Sequence, residues 1–348
     1  MDQDRVTTVL SPAARGFSMP AEWEEHAGCL MQWPSRRELW GDRFDDATRD
    51  YAAVARAIAA YEPVVMVCAP GLGAIVQELC GPGVTALEIP INDSWARDSG
   101  PIFVRDESGT VAVVSFGFNA WGNRWQPHDD DARLAALVGE RLGLEVIYAP
   151  FVLEGGAFLV DGEGTVLTTE QCLLNPNRNP TWSREMLDAG LRDYLGATTV
   201  VWLPYGHSLD VGPAGTDGHI DGVAQYVGPG RVLLEAPTDP ESPDTDRGRD
   251  NLAALLAVVD ARGRTLDVAL LDPGTQTTVS YANHYLANGA VIVPVDGSSD
   301  DAPALARLAE LHPDRVVVGV PGATLAFGGG GPHCITQQIP RGVDLSGL

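Results

Sequence analysis

One structural unit recurs along the chain and limits the folds that the chain can adopt. Each copy begins with an amphipathic helical pattern, as at Val54, Ala57, Ile58 and Tyr61, where apolar residues follow the i, i+3, i+4, i+7 spacing. A short β-branched run comes next, and a polar, often glycine-rich loop follows it. Units that bury their apolar faces against their neighbours are typical of repeat architectures. The sequence therefore predicts an α/β protein made of repeated helix–strand–loop units.

Five copies of the unit can be recognised. Further helical patterns lie at 134–142, 187–195, 252–259 and 305–312, and Ser183 is placed to cap the second of these. The apolar runs that follow the helices predict buried strands; they are VVMVCAP, LEVIYAP, TTVVWLP, TLDVALLDP and RVVVGVP. If five units close around an axis, the loops at their strand ends meet in one pocket.

Five units within 348 residues favour a single domain. We expect this domain to span residues 19–340, after a flexible segment over 1–18 and before a tail over 341–348. The stretch 238–250, rich in proline and aspartate, is also expected to be loose. No signal peptide and no membrane-spanning run is recognisable, so we expect a cytoplasmic protein.

Composition excludes several classes of function. The net charge of −24 argues against nucleic acid and membranes as partners, and it is compatible with a cationic ligand or with a merely solvating surface. All 23 basic residues are arginine, so a lysine Schiff base, a P-loop lysine and a lysine general base are excluded. No strand–helix G-x-G-x-x-G signature predicts a nucleotide cofactor.

The five cysteines do not form a recognisable disulfide or zinc pattern, because their number is odd and no C-x-x-C pair occurs. Cys29 and Cys68 lie in apolar runs and are expected to be small buried side chains. Cys334 is different, because it follows the glycine-rich segment GGGGPH. Glycines allow the backbone to approach a ligand closely, so Cys334 is the candidate nucleophile.

The loops contribute further chemistry at matching positions of the repeat: the carboxylates Asp98, Glu154 and Asp221, together with His219 and Asn283. A thiolate nucleophile needs a group nearby that moves protons, and histidine is the usual one. Several carboxylates in the same pocket suit a cation, and guanidinium is the cation that carboxylates bind in a planar, bidentate manner. The set therefore indicates a cysteine-dependent enzyme that acts on a guanidino group.

Other interpretations of the same residues stay open. Asp98 could be a turn residue with Arg97 as its surface salt-bridge partner, and Glu154 could simply end a strand. The pair His219-x-Asp221 could be half of a metal site. We interpret the histidines at 26, 128, 207 and 312 as structural or surface residues, and those at 284 and 333 have no assigned role.

Several loops resemble signature segments of a known family. The segments WARDSGP, LEGG, LLNPNRNP, TDGHID and GGGGPHCITQQ resemble those of the agmatine deiminase and Porphyromonas-type peptidylarginine deiminase family, and the resemblance extends from about residue 19 to 340. This family belongs to the guanidine-modifying, or pentein, superfamily. The resemblance implies a five-bladed α/β propeller with pseudo-fivefold symmetry around a central active site, and neither a metal nor an organic cofactor.

The resemblance also implies a role for each candidate residue. Cys334 would be the nucleophile and His219 the general acid and base, with Glu154 hydrogen-bonding the reacting end of the substrate. The substrate-binding residues would be Asp98 and Asp221, which grip the guanidinium nitrogens, Trp95, which packs on the alkyl chain, and Asn283, which lines the site. The reaction would pass through an amidino-thioether on Cys334 and release ammonia and a urea-type product.

One segment departs from the family pattern and leaves the substrate open. Pro213, Ala214 and Gly215 stand where acidic residues would meet the distal amine of agmatine. The leading hypothesis is hydrolysis of agmatine to N-carbamoylputrescine and ammonia, and the alternative is a peptidyl arginine or another guanidino metabolite. Arg124 could bind a substrate carboxylate or form a structural salt bridge. A non-catalytic guanidine-binding protein, a metal hydrolase and a homo-oligomer are further alternatives.

Overall fold

The computed structural model describes residues 10–212 and 215–348. Two residues of the departing segment, Pro213 and Ala214, lie outside the described residues. No helix within the described ranges has the length and apolar character that crossing a membrane requires.

Strands and helices alternate along the chain. The strands are β1 (His26–Gln32), β2 (Val64–Cys68), β3 (Val84–Glu88), β4 (Ile102–Arg105), β5 (Val111–Gly117), β6 (Glu145–Val152), β7 (Phe158–Val160), β8 (Thr165–Thr169), β9 (Thr199–Leu203), β10 (Ala224–Gly228), β11 (Arg231–Glu235), β12 (Asp267–Leu271), β13 (Tyr285–Ala287), β14 (Ala290–Val295), β15 (Val316–Pro321) and β16 (Thr336–Pro340). The helices are α1 (Arg37–Trp40), α2 (Phe44–Ala59), α3 (Gly73–Cys80), α4 (Ala96–Ser99), α5 (Ala120–Asn123), α6 (Asp131–Arg141), α7 (Glu170–Leu173), α8 (Arg184–Leu195), α9 (Asp244–Leu256), α10 (Asp301–Leu311) and α11 (Ala323–Gly328). Short 3-10 turns occur at Ala13–Arg15, Gly41–Arg43, Gly155–Ala157, Ser208–Asp210 and Ile220–Gly222.

In the part of the chain that the structure describes, the strands form five sheets with one shared connectivity. In each sheet an antiparallel pair is followed by a long helix and then by a strand parallel to the second member of the pair, as in β4–β5–α6–β6. The same order occurs in β7–β8–α8–β9, β10–β11–α9–β12 and β13–β14–α10–β15. The fifth sheet joins both ends of the chain, because β16 pairs with β1, and α2 then leads to β2 and α3 to β3. The predicted α/β class and the repeated unit are confirmed.

The five apolar runs form β2, β6, β9, β12 and β15, but the prediction that all of them are buried is wrong. Three of them, β6, β12 and β15, expose several residues at the edges of their sheets, whereas the edge strand β9 has no exposed residue. β2 is buried along its whole length because it lies between β1 and β3 and contacts α2 and α3. Central strands such as β5, β8 and β14 are the ones that the neighbouring elements cover.

The predicted helices are present, and their caps follow local sequence. The Ser183 side chain accepts a hydrogen bond from the backbone N–H of Met186 at 3.3 Å, so the predicted cap of α8 is confirmed. Within 238–250, expected to be loose, α9 already begins at Asp244, and acidic residues in its first turn favour that start.

The two terminal segments are partly packed as well. Phe17 is buried, and Ser18 forms a β-bridge with Arg105, so these residues of the 1–18 segment are held on the domain. In the 341–348 tail, Val343 is buried against the same apolar cluster as Ile339. Burial of Phe17 and Val343 stabilises the packing of these described residues on the domain.

Candidate active site

Cys334 lies in the short segment between α11 and β16 and lines a cavity of about 700 Å³. Its side chain is buried, with 8% exposed. The Nδ2 group of Asn283 donates a hydrogen bond to its Sγ at 3.1 Å, and Asp221 Oδ2 lies 3.4 Å from the same sulfur. A Cβ at position 330 would lie 2.9 Å from Sγ and 2.6 Å from the ring of Trp95. Gly330 is therefore needed for the sulfur and the indole to lie side by side.

His219 lies between two of the predicted carboxylates. Its Nδ1 atom is 3.7 Å from Asp98 Oδ1 and 4.0 Å from Asp221 Oδ1. The backbone that carries it is held by Asp210, whose Oδ2 accepts hydrogen bonds from the N–H groups of Gly218 at 3.0 Å and His219 at 3.1 Å. Asp210 was not identified from the sequence, although its acidic side chain lies only a few residues before the TDGHID motif.

Asp98 is buried at the end of α4 and is held by two hydrogen bonds. Its Oδ2 accepts from the indole N–H of Trp121 and its Oδ1 from the backbone N–H of Gly156, both at 2.9 Å. Burial raises the pKa of Asp98 to about 6; the charge of His219 lowers it, and the neighbouring Asp221 and Glu154 raise it. This carboxyl is therefore ionised at neutral pH, but only narrowly.

Asp221 has a different environment, because a second histidine supports its charge. His333 Nδ1 lies 2.8 Å from Asp221 Oδ2, and His333 Nε2 lies 2.9 Å from Glu22 Oε2. Burial by itself would raise the pKa of Asp221, but the hydrogen bond and charge of His333, followed by the charge of His219, lower it below its usual value. Of the two carboxylates beside His219, Asp221 is thus the more firmly ionised. His333 is a site residue to which the sequence assigned no role.

Arg97 is not the surface partner of Asp98 that one interpretation expected. Only 2% of it is exposed, its Nη2 lies 3.4 Å from Glu22 Oε2, and its Nη1 donates to Gln338 Oε1 at 2.7 Å. Its backbone N–H donates to the carbonyl of Cys334 at 3.1 Å. Arg97 therefore joins the segment before Asp98 to the segment that carries the cysteine.

Glu154 is fully buried and has one oxygen available to a ligand. Arg178, in the LLNPNRNP segment, donates from Nε to Glu154 Oε1 at 2.7 Å. Oε2 accepts no hydrogen bond from any described residue, and His219 Nε2 likewise has no hydrogen-bond partner among them. Buried polar atoms without partners are rare, so both atoms point to an interaction with a bound molecule. The interpretation of Glu154 as a mere strand end is thereby disfavoured.

Arg178 also binds Asp217, and Arg124 forms an ion pair with the same carboxylate. The structural interpretation of Arg124 is therefore confirmed. Because Arg178 contacts both Glu154 and the residue two positions before His219, it fixes the distance between these two parts of the site. The LLNPNRNP motif was recognised in the sequence, but the role of its arginine was not.

The pair His219-x-Asp221 is not the group of side chains in this site that best suits a metal ion. Among residues 10–212 and 215–348, one group of side chains has ligand atoms close enough to one another to hold an ion, within 4.8 Å. That group is Glu154, Cys172 and His219, and Asp221 does not belong to it. Cys172 is buried behind His219 and was not identified from the sequence.

Burial and neighbouring charges shift the pKa values of both Cys334 and His219. Burial raises the pKa of the Cys334 thiol well above its usual value, and the charges of Asp221 and Asp98 raise it further. For His219, burial would lower the pKa, but the charge of Asp98, followed by those of Cys172 and Glu154, raises it well above its usual value. A cation bound between the carboxylates would oppose the charges that hold the thiol proton, so it would favour the thiolate.

At position 156, the neighbouring histidine and carboxylates leave room only for a glycine. A Cβ at position 156 would lie 2.6 Å from His219 Nδ1, 2.8 Å from Asp98 Oδ1 and 2.9 Å from Asp221 Oδ2. Gly156 belongs to the LEGG segment, whose second glycine thus permits the histidine and both carboxylates to approach one point.

All seven residues predicted to form the site lie near one another. Asn283 and Asp221 contact Cys334. His219 lies beside Asp221, and its Nδ1 atom is 3.7 Å from Asp98 Oδ1. Glu154 lies close to His219. The ring of Trp95 stacks on that of Trp40, with 6.0 Å between the ring centroids, and it borders Gly330 beside the Cys334 sulfur. The structure therefore brings residues of distant loops together, and four of the seven, His219, Asp221, Asn283 and Cys334, line the cavity.

The chain combines an α/β fold with a buried site in which a thiol and an imidazole face three carboxylates. This combination is typical of the deiminase class of α/β enzymes. The particular family follows from comparison with known proteins. The sequence profile of the Porphyromonas-type peptidyl-arginine deiminases matches residues 18–340, and the chain belongs to this family.

Relatives match over nearly the full length of both chains. The agmatine deiminase of Stutzerimonas stutzeri is 39% identical over 376 residues, covering 96% of this chain and 99% of the relative. The agmatine deiminase of Pseudomonas aeruginosa is 39% identical over 363 residues, covering 95% and 97%. A solved structure of the agmatine deiminase of Enterococcus faecalis has a TM-score of 0.92 and 35% identity, covering 97% of this chain and 99% of that one.

Proposed function

We propose that this protein is a cysteine-dependent deiminase that hydrolyses agmatine to N-carbamoylputrescine and ammonia. The observation that carries the proposal is the position of the Cys334 sulfur beside Asp221, with His219 between Asp221 and Asp98. This arrangement offers a thiol, a proton-transferring group and two carboxylates to one planar cation. Membership of the family and the agmatine deiminases among the relatives support the same substrate.

We further propose that the five sheets surround a pseudo-fivefold axis, as the blades of an α/β propeller, with the active site at the centre. Two features support this arrangement. The sheets share one connectivity, and the site residues come from loops of successive units. The pairing of β16 with β1 joins the last unit to the first, as closure of a ring requires.

The guanidinium would bind between Asp98 and Asp221, each accepting hydrogen bonds from its N–H groups, while the free Oε2 of Glu154 accepts another. Trp95 would pack on the alkyl chain, and Asn283 would hold the sulfur in place through its 3.1 Å hydrogen bond. Binding opposes the carboxylate charges, so the Cys334 thiol loses its proton to solvent as the substrate enters.

In the first stage, the thiolate adds to the guanidinium carbon and forms a C–S bond. Protonated His219 donates its proton to a terminal nitrogen, the C–N bond breaks, and ammonia leaves. An amidino-thioether remains on Cys334, and His219 is neutral.

In the second stage, His219 accepts a proton from a water molecule as that water adds to the same carbon. The C–S bond then breaks, the second proton of the water returns to the sulfur, and the ureido product is released. The protein is restored with both Cys334 and His219 protonated. Apart from the first thiol proton, which goes to solvent, the proton transfers involve only His219, Cys334, the substrate and the attacking water.

A peptidyl arginine is the second candidate substrate. The cavity of about 700 Å³ is larger than an aliphatic guanidine requires, and Leu209, Val211 and Phe327 expose apolar surface where they line it. Such a surface could contact a peptide chain, and Gly215 offers no charge to a distal amine.

One experiment separates these functions. Ureido product and ammonia are measured with agmatine, free arginine and an arginine-containing peptide under the same conditions. We expect agmatine to give the highest kcat/KM. Preferred turnover of the peptide would replace agmatine by the second candidate, and no ammonia from any of them would indicate a guanidine-binding protein. Loss of activity with a chelator but not with iodoacetamide would indicate a metal hydrolase.

Gly156→Ala is expected to lower kcat/KM at least ~100-fold, because the added methyl group forces His219, Asp98 or Asp221 out of position. The variant is compared with the parent by steady-state kinetics and by thermal unfolding. A methyl group at this point strains the site rather than the sheets, so the midpoint of unfolding should change much less than the activity. Unchanged activity would show that these three groups do not act together.

The pH dependence of kcat/KM is expected to report the titration of Asp98. The pKa of about 6 places its loss of charge below neutrality, so kcat/KM should fall about tenfold per pH unit below pH ~6. Butylguanidine, which carries a single charge, is used so that a second ammonium group does not contribute. Asp98→Asn should lack this acid limb. An acid limb that persists unchanged in the variant would assign it to another group.

A further inference from the structure

Four acidic side chains line the cavity that contains Cys334, as far as the described residues show: Asp210, Asp221, Glu235 and Asp244. An aliphatic guanidine with a second positive charge needs one of them at its distal end. Asp221 lies beside the sulfur and belongs to the guanidinium clamp. The other three also line the cavity and are the candidates for the distal charge.

Asp210 and Asp244 are already engaged by the protein. Asp210 accepts hydrogen bonds through both oxygens, from the backbone of Thr216 and from the segment that leads to His219. Asp244 accepts from the backbone N–H of Ser208 at 2.7 Å and from its hydroxyl at 2.6 Å. His207 lies 3.4 Å from Asp244, and Arg247 lies 4.0 Å away, so basic side chains already accompany this carboxylate.

Glu235, the last residue of β11, is different. It is 7% exposed, and its Oε2 accepts hydrogen bonds from Ala282 N–H at 2.9 Å and Ser280 Oγ at 3.2 Å. Oε1 accepts none from the described residues, and none of their basic side chains lies within 4.0 Å of the carboxylate. Glu235 is thus a buried carboxylate on the cavity wall without a counterion.

The position of Glu235 relative to the reacting groups is fixed by its neighbours. The single hydroxyl proton of Ser280 is shared, because its Oγ lies 3.2 Å from Glu235 Oε2 and 2.9 Å from the carbonyl oxygen of Gly222, the residue directly after Asp221. Ala282, whose N–H binds Glu235, precedes Asn283, which contacts the Cys334 sulfur. Glu235 therefore lines the same cavity as the guanidinium clamp and is held by the segments that carry Asp221 and Asn283.

We infer that Glu235 binds the distal ammonium group of the substrate and thereby selects guanidinoalkylamines over guanidines with a neutral tail. This inference rests on the proposed deiminase function and adds to it the residue that replaces the missing acid near position 215. A cation at Oε1 supplies the counterion that this carboxylate lacks within the protein.

The titration of Glu235 agrees with such a role. Burial raises its pKa to about 7; the hydrogen bonds from Ala282, Ser280 and the backbone N–H of Tyr281 lower it, and the charge of Asp244 raises it. A bound ammonium would favour the ionised form. Because protonation removes the charge, the preference for a doubly charged ligand should weaken as the pH falls below 7.

The test measures binding in a Cys334→Ala background, so that turnover does not interfere. Calorimetry gives the dissociation constants of agmatine and of butylguanidine, which lacks the amine, for this variant and for the Glu235→Gln double variant. Glu241→Gln serves as the matched control, because Glu241 is exposed nearby and does not line the cavity. We expect Glu235→Gln to weaken agmatine binding ~30- to 100-fold and butylguanidine binding less than ~3-fold, with no change from Glu241→Gln.

The outcomes separate the inference from the function on which it rests. Equal weakening for both ligands would overturn the inference and assign Glu235 to holding the 280–283 segment in place. No binding of agmatine to the parent variant would overturn the proposed function and the inference together. In the Cys334→Ala variant, the preference for agmatine over butylguanidine should also decrease between pH 8 and pH 6. A constant preference would contradict the role of Glu235.

Discussion

Replacing Cys334 with alanine is expected to abolish ammonia release, with kcat lower by about 10⁴-fold or more, because no other group can form the covalent intermediate. The substitution removes only the sulfur, and Asp98, Asp221 and Glu154 keep their own hydrogen-bond partners. The variant should therefore still bind the substrate. Ammonia release is measured with a coupled assay, and binding by calorimetry.

Cys172→Ser is the matched control, because Cys172 is also buried in the same site but lies behind His219. Its sulfur contacts the carbonyl of Thr216 at 3.7 Å, a contact that a hydroxyl can also make. This variant should keep readily measurable turnover. Full activity of Cys334→Ala, or equal losses in both variants, would contradict the assignment of the nucleophile.

Replacing Asp221 with asparagine is expected to lower kcat/KM about 10²- to 10³-fold, because one charged member of a buried, hydrogen-bonded group is lost. The guanidinium loses one of its two carboxylates, and the hydrogen-bond acceptor 2.8 Å from His333 loses its negative charge. The same change should increase the reactivity of Cys334 towards neutral reagents, because the charge of Asp221 raises the pKa of the thiol. Loss of catalysis and gain of thiol reactivity are thus predicted for one substitution.

The measurement pairs steady-state kinetics with alkylation at pH 7–8. Iodoacetamide should label Cys334 faster in Asp221→Asn than in the parent, whereas the cationic reagent 2-bromoethylammonium should lose part of its attraction to the site. Asp267→Asn, at an exposed carboxylate on β12, is the control and should change neither rate. Slower labelling by iodoacetamide in Asp221→Asn would show that Asp221 does not oppose ionisation of the thiol.

The repeat and the catalytic loops could be predicted from the sequence because each depends on local patterns. Helical periodicity and β-branched runs identify the repeated units. In the loop motifs, the reacting residues are adjacent in sequence to the residues that form the turn. The exposure of residues on β6, β12 and β15 could not be predicted in this way. An apolar run shows that a strand forms, but its place within the sheet depends on which other strands pair with it.

The supporting residues were missed for a related reason. Glu22 and His333 are separated by 311 positions, and their 2.9 Å contact exists only because β16 pairs with β1. Arg178 reaches Glu154 and Asp217 in two other segments. Pairings of this kind leave no periodic signal in one sequence. The adjacency of His333 to Cys334, and of Arg178 to its asparagines, is the signal that could have drawn attention to them.

The most direct test of covalent catalysis by Cys334 is mass spectrometry of the protein quenched in acid at successive times during a single turnover of agmatine. If Cys334 is the nucleophile, the peptide containing it gains the mass of agmatine less one ammonia, and this adduct forms and decays as the ureido product appears. Product formation with no adduct at any time, or an adduct on Cys172 instead, would contradict it.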